Sequence, residues 1–173
     1  IESLTSRKYI RELLDGANTE VTLEGEIAGV PFKGRVDALK PSVIIDLKTT
    51  ADVEPRVFGS RFFKLGYDFK LSIYRELVRQ STEGLREVKV IAQEPGGDFD
   101  NVVHTVPSEV LDAAFSRVLH TVHRYKQCVE SGVWPGVDGG EDEIDLHVPD
   151  YVLHQELDWS DVEIEETEVV EAY

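Results

Sequence analysis

Two aspartates and a lysine lie close together in the sequence, at a spacing that could support chemistry on a phosphate. The strings that hold them are Gly34-Arg35-Val36-Asp37 and Val43-Ile44-Ile45-Asp46-Leu47-Lys48-Thr49-Thr50. Because strand side chains alternate between faces, a strand here places Asp46 and Lys48 on one face, with Leu47 packed behind them. Asp37 can lie beside Asp46 if their strands pair. Two such carboxylates suit a hard cation such as Mg²⁺, and a lysine beside them can activate water or stabilise phosphate charge.

The same Asp-x-Lys spacing is also typical of an ordinary solvated ion pair at a strand end. The spacing alone therefore leaves both interpretations open, and the elements that carry the residues have to be considered.

The elements predicted around these strings form an α/β chain. Helical spacing predicts helices over residues 5–15, 55–65, 67–80 and 108–130. Apolar runs predict strands over residues 19–28, 32–39, 43–48, 88–92 and 101–106. The turn signals Gly29-Val30-Pro31 and Pro41-Ser42 separate the first three strands, which favours an antiparallel arrangement. This order predicts an α/β (α+β) fold with a central mixed β-sheet flanked by helices.

Charge is distributed unevenly along the 173-residue chain, whose net charge is −16. Residues 1–90 hold 15 Lys/Arg and 14 Asp/Glu, whereas residues 91–173 hold 3 and 20. The total argues against a nucleic-acid partner, but the near-neutral half carries the candidate site, so a local groove for DNA is compatible with it. We expect a core domain over residues 1–137 and an acidic C-terminal segment over 138–173, either docked or disordered.

Several classes of protein are excluded by composition. Cys128 is the sole cysteine, so a disulfide framework and a cysteine-ligated zinc or iron–sulfur site are excluded within the chain. No apolar run approaches the ~20 residues of a membrane span, and no signal-peptide pattern opens the chain. We therefore expect a cytoplasmic protein with no membrane partner. The first residue is Ile1 rather than Met, which indicates a trimmed chain or a fragment.

Four parts of the sequence together resemble the PD-(D/E)XK nuclease superfamily, and within it the exonuclease VIII (RecE) branch. They are the Gly-Arg-x-Asp string ending at Asp37, the Asp-Leu-Lys-Thr-Thr string from Asp46, the aromatic helix Tyr67–Tyr74, and Trp134-Pro135-Gly136. The resemblance covers about residues 20–150. The fold that it implies, a mixed sheet with flanking helices, agrees with the predicted element order.

The resemblance also implies roles for individual residues. Asp37 and Asp46 would bind Mg²⁺, or Mn²⁺ in its place, with the main-chain carbonyl of Leu47 as a further ligand. Lys48 would position or activate the attacking water. An upstream glutamate often completes the site in such nucleases, and Glu20 is the candidate.

The sequence departs from the family pattern at two places, and one choice of ligand stays open. Glu24 is the alternative to Glu20 as the upstream glutamate. The usual Gln-x-x-x-Tyr helix motif has Lys70 at the glutamine position and keeps Tyr74, so both residues could address the site or the DNA. The short first helix also lacks the histidine that family members usually carry near the metal.

The implied activity is a metal-dependent DNA exonuclease acting in recombination or repair, in a bacterial or phage-infected cell. Relatives degrade linear double-stranded DNA in the 5′→3′ direction, often as ring-shaped homo-oligomers that work with a single-strand annealing protein. The expected substrate-binding residues are Arg35, Arg56, Arg61, Lys64, Lys70 and Tyr74. The alternatives are a non-catalytic or truncated DNA-binding or assembly module of the same fold, and a nuclease of different strand specificity.

Overall fold

The computed structural model describes residues 7–82, 84–96, 99–137, 139, 143 and 145–148. In this part of the chain, helices and strands follow the predicted order. The helices are α1 (Lys8–Leu14), α2 (Pro55–Lys64), α3 (Tyr67–Ser81) and α4 (Ser108–Ser131). The strands are β1 (Asn18–Ile27), β2 (Val30–Leu39), β3 (Val43–Thr49), β4 (Glu87–Gln93) and β5 (Asn101–Val106). The predicted fold class is confirmed.

The five strands form one mixed sheet in the order β1-β2-β3-β4-β5. Neighbouring strands run antiparallel except β3 and β4, which are parallel. A parallel neighbour requires a crossover connection, and α2 and α3 supply it between these two strands. The crossover brings α3 back over the sheet, where it can contact the end of β3.

The first hairpin turns one residue earlier than the sequence predicts. Ala28 and Gly29 have φ angles of 49° and 81°, and Val30 already pairs with Ile27. Two central residues with positive φ form the type of two-residue turn whose twist matches the strands on either side. The predicted turn was placed too late because proline is typical of turns and Pro31 was counted as part of this one. Alanine is not typical of a positive φ angle, so Ala28 was not recognised as a turn residue.

Both faces of the sheet are covered by helices, but unequally. Ile44 of β3 packs in a large apolar cluster with residues of α2, α3 and α4. Ile45, on the other face, packs in a smaller cluster with Ile10 of α1. Alternation along β3 therefore places Asp46 and Lys48 on the face that carries the three longer helices.

Polar contacts fix α3 against its neighbours. The side-chain amide of Gln80 donates to the carbonyl of Glu26 at 2.8 Å and accepts from the N–H of Glu26 at 3.1 Å, as a neighbouring strand would. Asp68 of α3 pairs with Arg117 of α4, and Asp68 is only 2% exposed. These contacts hold the helix that carries Lys70 at a defined height above the sheet.

The chain divides after Val133 into two units. The first unit contains all the helices and strands given above. The expected acidic segment over residues 138–173 lies mostly outside the described residues, so its docking stays a prediction. Within the part of the chain that is described, no helix is both long and apolar enough to cross a membrane.

Candidate active site

The site lies where β2 and β3 separate. These strands pair only at Ala38 with Ile45 and at Leu39 with Ile44, and the next residues across would be Asp37 and Asp46. There the main-chain N–H of Leu47 donates to Oδ2 of Asp37 at 2.7 Å. A side-chain carboxylate thus takes the place of the next main-chain partner. The fork brings Asp37 beside β3, as the sequence predicts for paired strands.

Asp46 lies at the base of this fork and is only 1% exposed. Its Oδ2 accepts a hydrogen bond from Nζ of Lys48, and its Oδ1 accepts one from Nζ of Lys70 at 3.1 Å. The Lys48 side chain is 12% exposed and that of Lys70 is 40% exposed. The prediction that Leu47 packs behind the pair is wrong, since Leu47 is 37% exposed where β3 runs past the cover of α1.

Both ammonium groups also lie over aromatic rings of α3. Nζ of Lys48 is 4.8 Å from the ring centroid of Tyr67, and Nζ of Lys70 is 4.9 Å from that of Tyr74. Such contacts favour a cation. Burial lowers the pKa of Lys70, but the Asp46 charge, its hydrogen bond and Tyr74 together outweigh burial and raise the pKa above its ordinary value. Lys70 is therefore a cation at neutral pH.

Tyr74 is placed by the glycine of the Gly-Arg-x-Asp string. A Cβ atom at Gly34 would lie 2.5 Å from Cε1 of the Tyr74 ring. Tyr74 is 9% exposed and belongs to the large core cluster. The absence of a side chain at Gly34 lets the ring lie against β2, and the ring in turn supports Lys70.

Replacing Gly34 with alanine is therefore expected to lower the free energy of unfolding by about 2 kcal/mol, because the Tyr74 ring must shift within a packed core. Gly59, in the middle of α2, offers a matched control, since a Cβ there meets no atom of the described residues within 4 Å. Gly59→Ala should raise stability by about 1 kcal/mol, because alanine is the better helix former. Urea unfolding of both variants checks the prediction, and equal effects of one sign would contradict it.

The donors at the fork fit a hard divalent cation. They are the carboxylates of Asp37 and Asp46 and the carbonyl of Leu47, all of them oxygen, as Mg²⁺ prefers. The Leu47 carbonyl also lies 3.3 Å from Nζ of Lys48. Among the described residues, no group of three Asp, Glu, His or Cys side chains is placed to hold a metal ion. The candidate ligand oxygens at the fork are therefore two carboxylates and one main-chain carbonyl, without a third acidic side chain among the described residues.

The two candidate glutamates have other partners. Glu20 lies between the residues of β1 that pair with Val36 and Ala38, level with Asp37, but its backbone φ is 53° and its Oε2 is 2.7 Å from Nε of Arg35. Glu24 is paired with Lys33 at 2.9 Å. Neither contact brings a glutamate to Asp46.

Predicted DNA-binding residues line an open groove along α2, here called the α2 groove. Its volume is about 630 Å³, and its lining residues are Arg56, Val57, Ser60, Arg61, Lys64 and Leu65. Nη1 of Arg61 donates to Oγ1 of Thr50 at 3.0 Å, and Thr50 follows Lys48 by two residues. The groove therefore begins next to the candidate site. The contact between Arg61 and Thr50 was missed from sequence, although helical spacing places the groove residues on one face.

Comparison with known proteins agrees with this fold. Residues 1–146 match the family described as "PDDEXK-like domain of unknown function (DUF3799)". A solved structure from Eubacterium rectale, described as "Putative exonuclease", has a TM-score of 0.68 and 20% identity, covering 89% of this chain and 62% of that one. At this identity the likeness shows the fold alone, and this chain spans 62% of the length of that protein.

A second solved structure, SSO0001, is 18% identical over 68% of this chain and 56% of that chain, with a TM-score of only 0.35. No curated protein matches the chain. The family match covers most of the sequence and includes the fork, both lysines and the α2 groove. The chain therefore belongs to the PDDEXK-like domain family DUF3799.

Proposed function

We propose that the chain is a metal-dependent nuclease that hydrolyses phosphodiester bonds of DNA. The observation that carries the proposal is the fork of β2 and β3, where Asp37 lies beside β3 and the buried Asp46 holds Lys48. Membership of a PDDEXK-like family supports it. An ordinary solvated ion pair does not account for an aspartate that is 1% exposed and binds two lysines.

The residues of the fork have separate roles in the proposed reaction. Asp37, Asp46 and the Leu47 carbonyl would hold Mg²⁺ or Mn²⁺, which when bound supplies positive charge and acidifies water. The Lys48 ammonium, held close to Asp46 and to the Leu47 carbonyl, orients the attacking water by donating a hydrogen bond to its oxygen, and the proton of that water passes to solvent. The same ammonium stabilises negative charge that develops on the phosphate.

The α2 groove is the proposed path for the DNA backbone. Arg56, Arg61 and Lys64 lie along it, and Arg61 binds Thr50, the residue that follows the end of β3. Cations along a groove attract phosphates locally even in an acidic chain, and such binding weakens steeply with salt. Arg35 is a second proposed phosphate contact, because its side chain is 67% exposed beside the fork.

Tyr74 fits a supporting role better than direct contact with DNA. Its ring is 9% exposed and lies under Nζ of Lys70. We propose that it positions Lys70, which faces Asp46, and that Lys70 addresses the site rather than the α2 groove. Glu20 stays a proposed metal ligand only if Arg35 releases it, since the two side chains are paired.

The finer proposal is an exonuclease that degrades linear double-stranded DNA from the 5′ end in recombination or repair. It rests on the resemblance of the Asp37 and Lys48 strings to the exonuclease VIII branch and on the fold shared with the protein described as "Putative exonuclease". A homo-oligomeric ring and a single-strand annealing partner belong to the same proposal.

Digestion of DNA with distinguishable ends tests the proposal. Linear duplexes labelled at the 5′ or 3′ end and a closed circle are incubated with Mg²⁺, with and without EDTA. We expect early release of the 5′ label, an intact circle and no digestion with EDTA. Cutting of the circle would indicate an endonuclease. Binding of DNA without digestion under any divalent ion would overturn the nuclease proposal in favour of a non-catalytic binding module.

A further inference from the structure

We propose that the Lys70 ammonium is a permanent part of the metal site, and that its positive charge limits the fork to one divalent ion. This inference rests on the proposed function and deepens it, because it sets how many metal ions the reaction uses. It assigns to Lys70 a role as a positioning residue that acts through Asp46.

The contacts of Asp46 carry the first step. Each of its carboxylate oxygens accepts from a different lysine, and the side chain is 1% exposed, so water cannot replace either partner easily. A carboxylate oxygen can accept from two partners, so a metal ion can share Oδ2 with Lys48. Lys70 keeps Oδ1, where its positive charge opposes the approach of a second ion.

The surroundings of Lys70 hold it in this position. Its Nζ is 4.9 Å from the ring centroid of Tyr74, and the ring itself is fixed against Gly34. Gln80 binds the far end of the same helix to β1. An ammonium on a fixed helix and over a fixed ring loses little conformational freedom when it binds Asp46.

The charges at the fork carry the second step. Asp37 and Asp46 contribute two negative charges, and Lys48 and Lys70 contribute two positive charges, so the protein groups balance before any metal binds. One divalent ion leaves an excess of two positive charges, of which a phosphodiester offsets one and its doubly negative transition state offsets both. A second divalent ion would double that excess beside a carboxylate that is 1% exposed, where repulsion between charges is strong.

Metal titration separates this role from a merely structural one. Mn²⁺ is titrated into the full chain without DNA and followed by calorimetry and by the electron paramagnetic resonance of free Mn²⁺. We expect one ion for the wild type. Lys70→Gln keeps a hydrogen-bond donor but removes the charge, so it should bind the first ion at least about tenfold more tightly or admit a second ion.

Two further variants serve as controls. Lys70→Arg keeps the charge and should retain one ion with nearly the wild-type affinity. Lys33→Gln removes a lysine charge that is paired with Glu24 on the exposed part of the β1–β2 hairpin, and it should leave the titration unchanged. All variants are first compared by circular dichroism.

The inference is overturned if the wild type binds two ions, or if Lys70→Gln binds one ion with wild-type affinity. It is also overturned if neither protein binds Mn²⁺. Digestion of linear DNA by the wild type is measured in parallel. Digestion together with two bound ions would remove the inference and leave the nuclease proposal standing, whereas absence of digestion would count against the nuclease itself.

Discussion

Replacing Lys48 with alanine is expected to lower the rate of DNA digestion by about 10³-fold, the scale of a lost charged hydrogen-bond donor that orients the water and stabilises the reacting phosphate. The fold should persist, because Asp46 keeps its hydrogen bond from Lys70. Initial rates on labelled linear DNA measure the effect, and circular dichroism checks the fold.

Lys89→Ala is the matched control for this experiment. Lys89 lies on the adjacent strand β4, its side chain is 14% exposed against 12% for Lys48, and it is also paired with a carboxylate, that of Glu87 at 3.3 Å. Its neighbours in β4, Val88 and Val90, belong to the face that carries Asp46, so Lys89 lies on the opposite face. Its loss should leave digestion unchanged. Equal losses from both variants would show that Lys48 is needed for structure rather than chemistry.

The fold could be predicted because local sequence patterns identify its helices and strands. Val43-Ile44-Ile45 is apolar on both faces, as a strand buried between helices requires, and the spacing along Tyr67–Ser81 is helical. The order of elements then leaves few arrangements, and the two helices between β3 and β4 form a connection long enough for the parallel pairing that these strands adopt. Only the hairpin turn at Ala28 was displaced, where a positive φ has no signal in the residue type.

The site could be predicted only as far as local spacing fixes it. The two-residue period of a strand places Asp46 and Lys48 on one face, and the structure pairs them. The partner of Glu20 depends on an unusual backbone angle opposite Asp37 and on the reach of Arg35 across the hairpin. The bond between Lys70 and Asp46 depends on how high α3 lies above the sheet. Such long-range placements are set by tertiary packing and cannot be derived from spacing.

The uneven distribution of charge separates the acidic part of the sequence from the residues of the candidate site. The acidic excess belongs to residues 91–173, whereas the groups around the fork and the α2 groove are balanced or basic. The opposing total charge would slow encounter with DNA, but exposed charges are screened beyond about 10 Å at 0.1 M salt. Short-range cations such as Arg61 therefore decide binding at the groove, and moderate salt should weaken this local attraction along with the general repulsion.

Replacing Asp46 with asparagine is expected to stop digestion and to lower the free energy of unfolding by about 2 kcal/mol, since two ammonium groups are left together without their shared carboxylate. Lys48 is only 12% exposed, whereas Lys70 is 40% exposed and its ammonium is partly solvated, which keeps the cost moderate. Urea unfolding and the digestion assay measure the two effects separately. Asp112→Asn is the control, because it also removes a carboxylate paired with a cation of α3, but one that is 69% exposed.

The double variant Asp46→Asn with Lys70→Gln isolates the cause of the instability. If repulsion between the two lysines causes the loss, removal of the second charge should recover about 1 kcal/mol of the unfolding free energy. Digestion should stay absent, since the carboxylate has not returned. A double variant as unstable as Asp46→Asn alone would assign the loss to packing of the amide. An Asp46→Asn variant more stable than the wild type would show instead that desolvation of this carboxylate costs more free energy than its two ion pairs with lysine contribute. Such a balance occurs where a site is kept for chemistry rather than for stability.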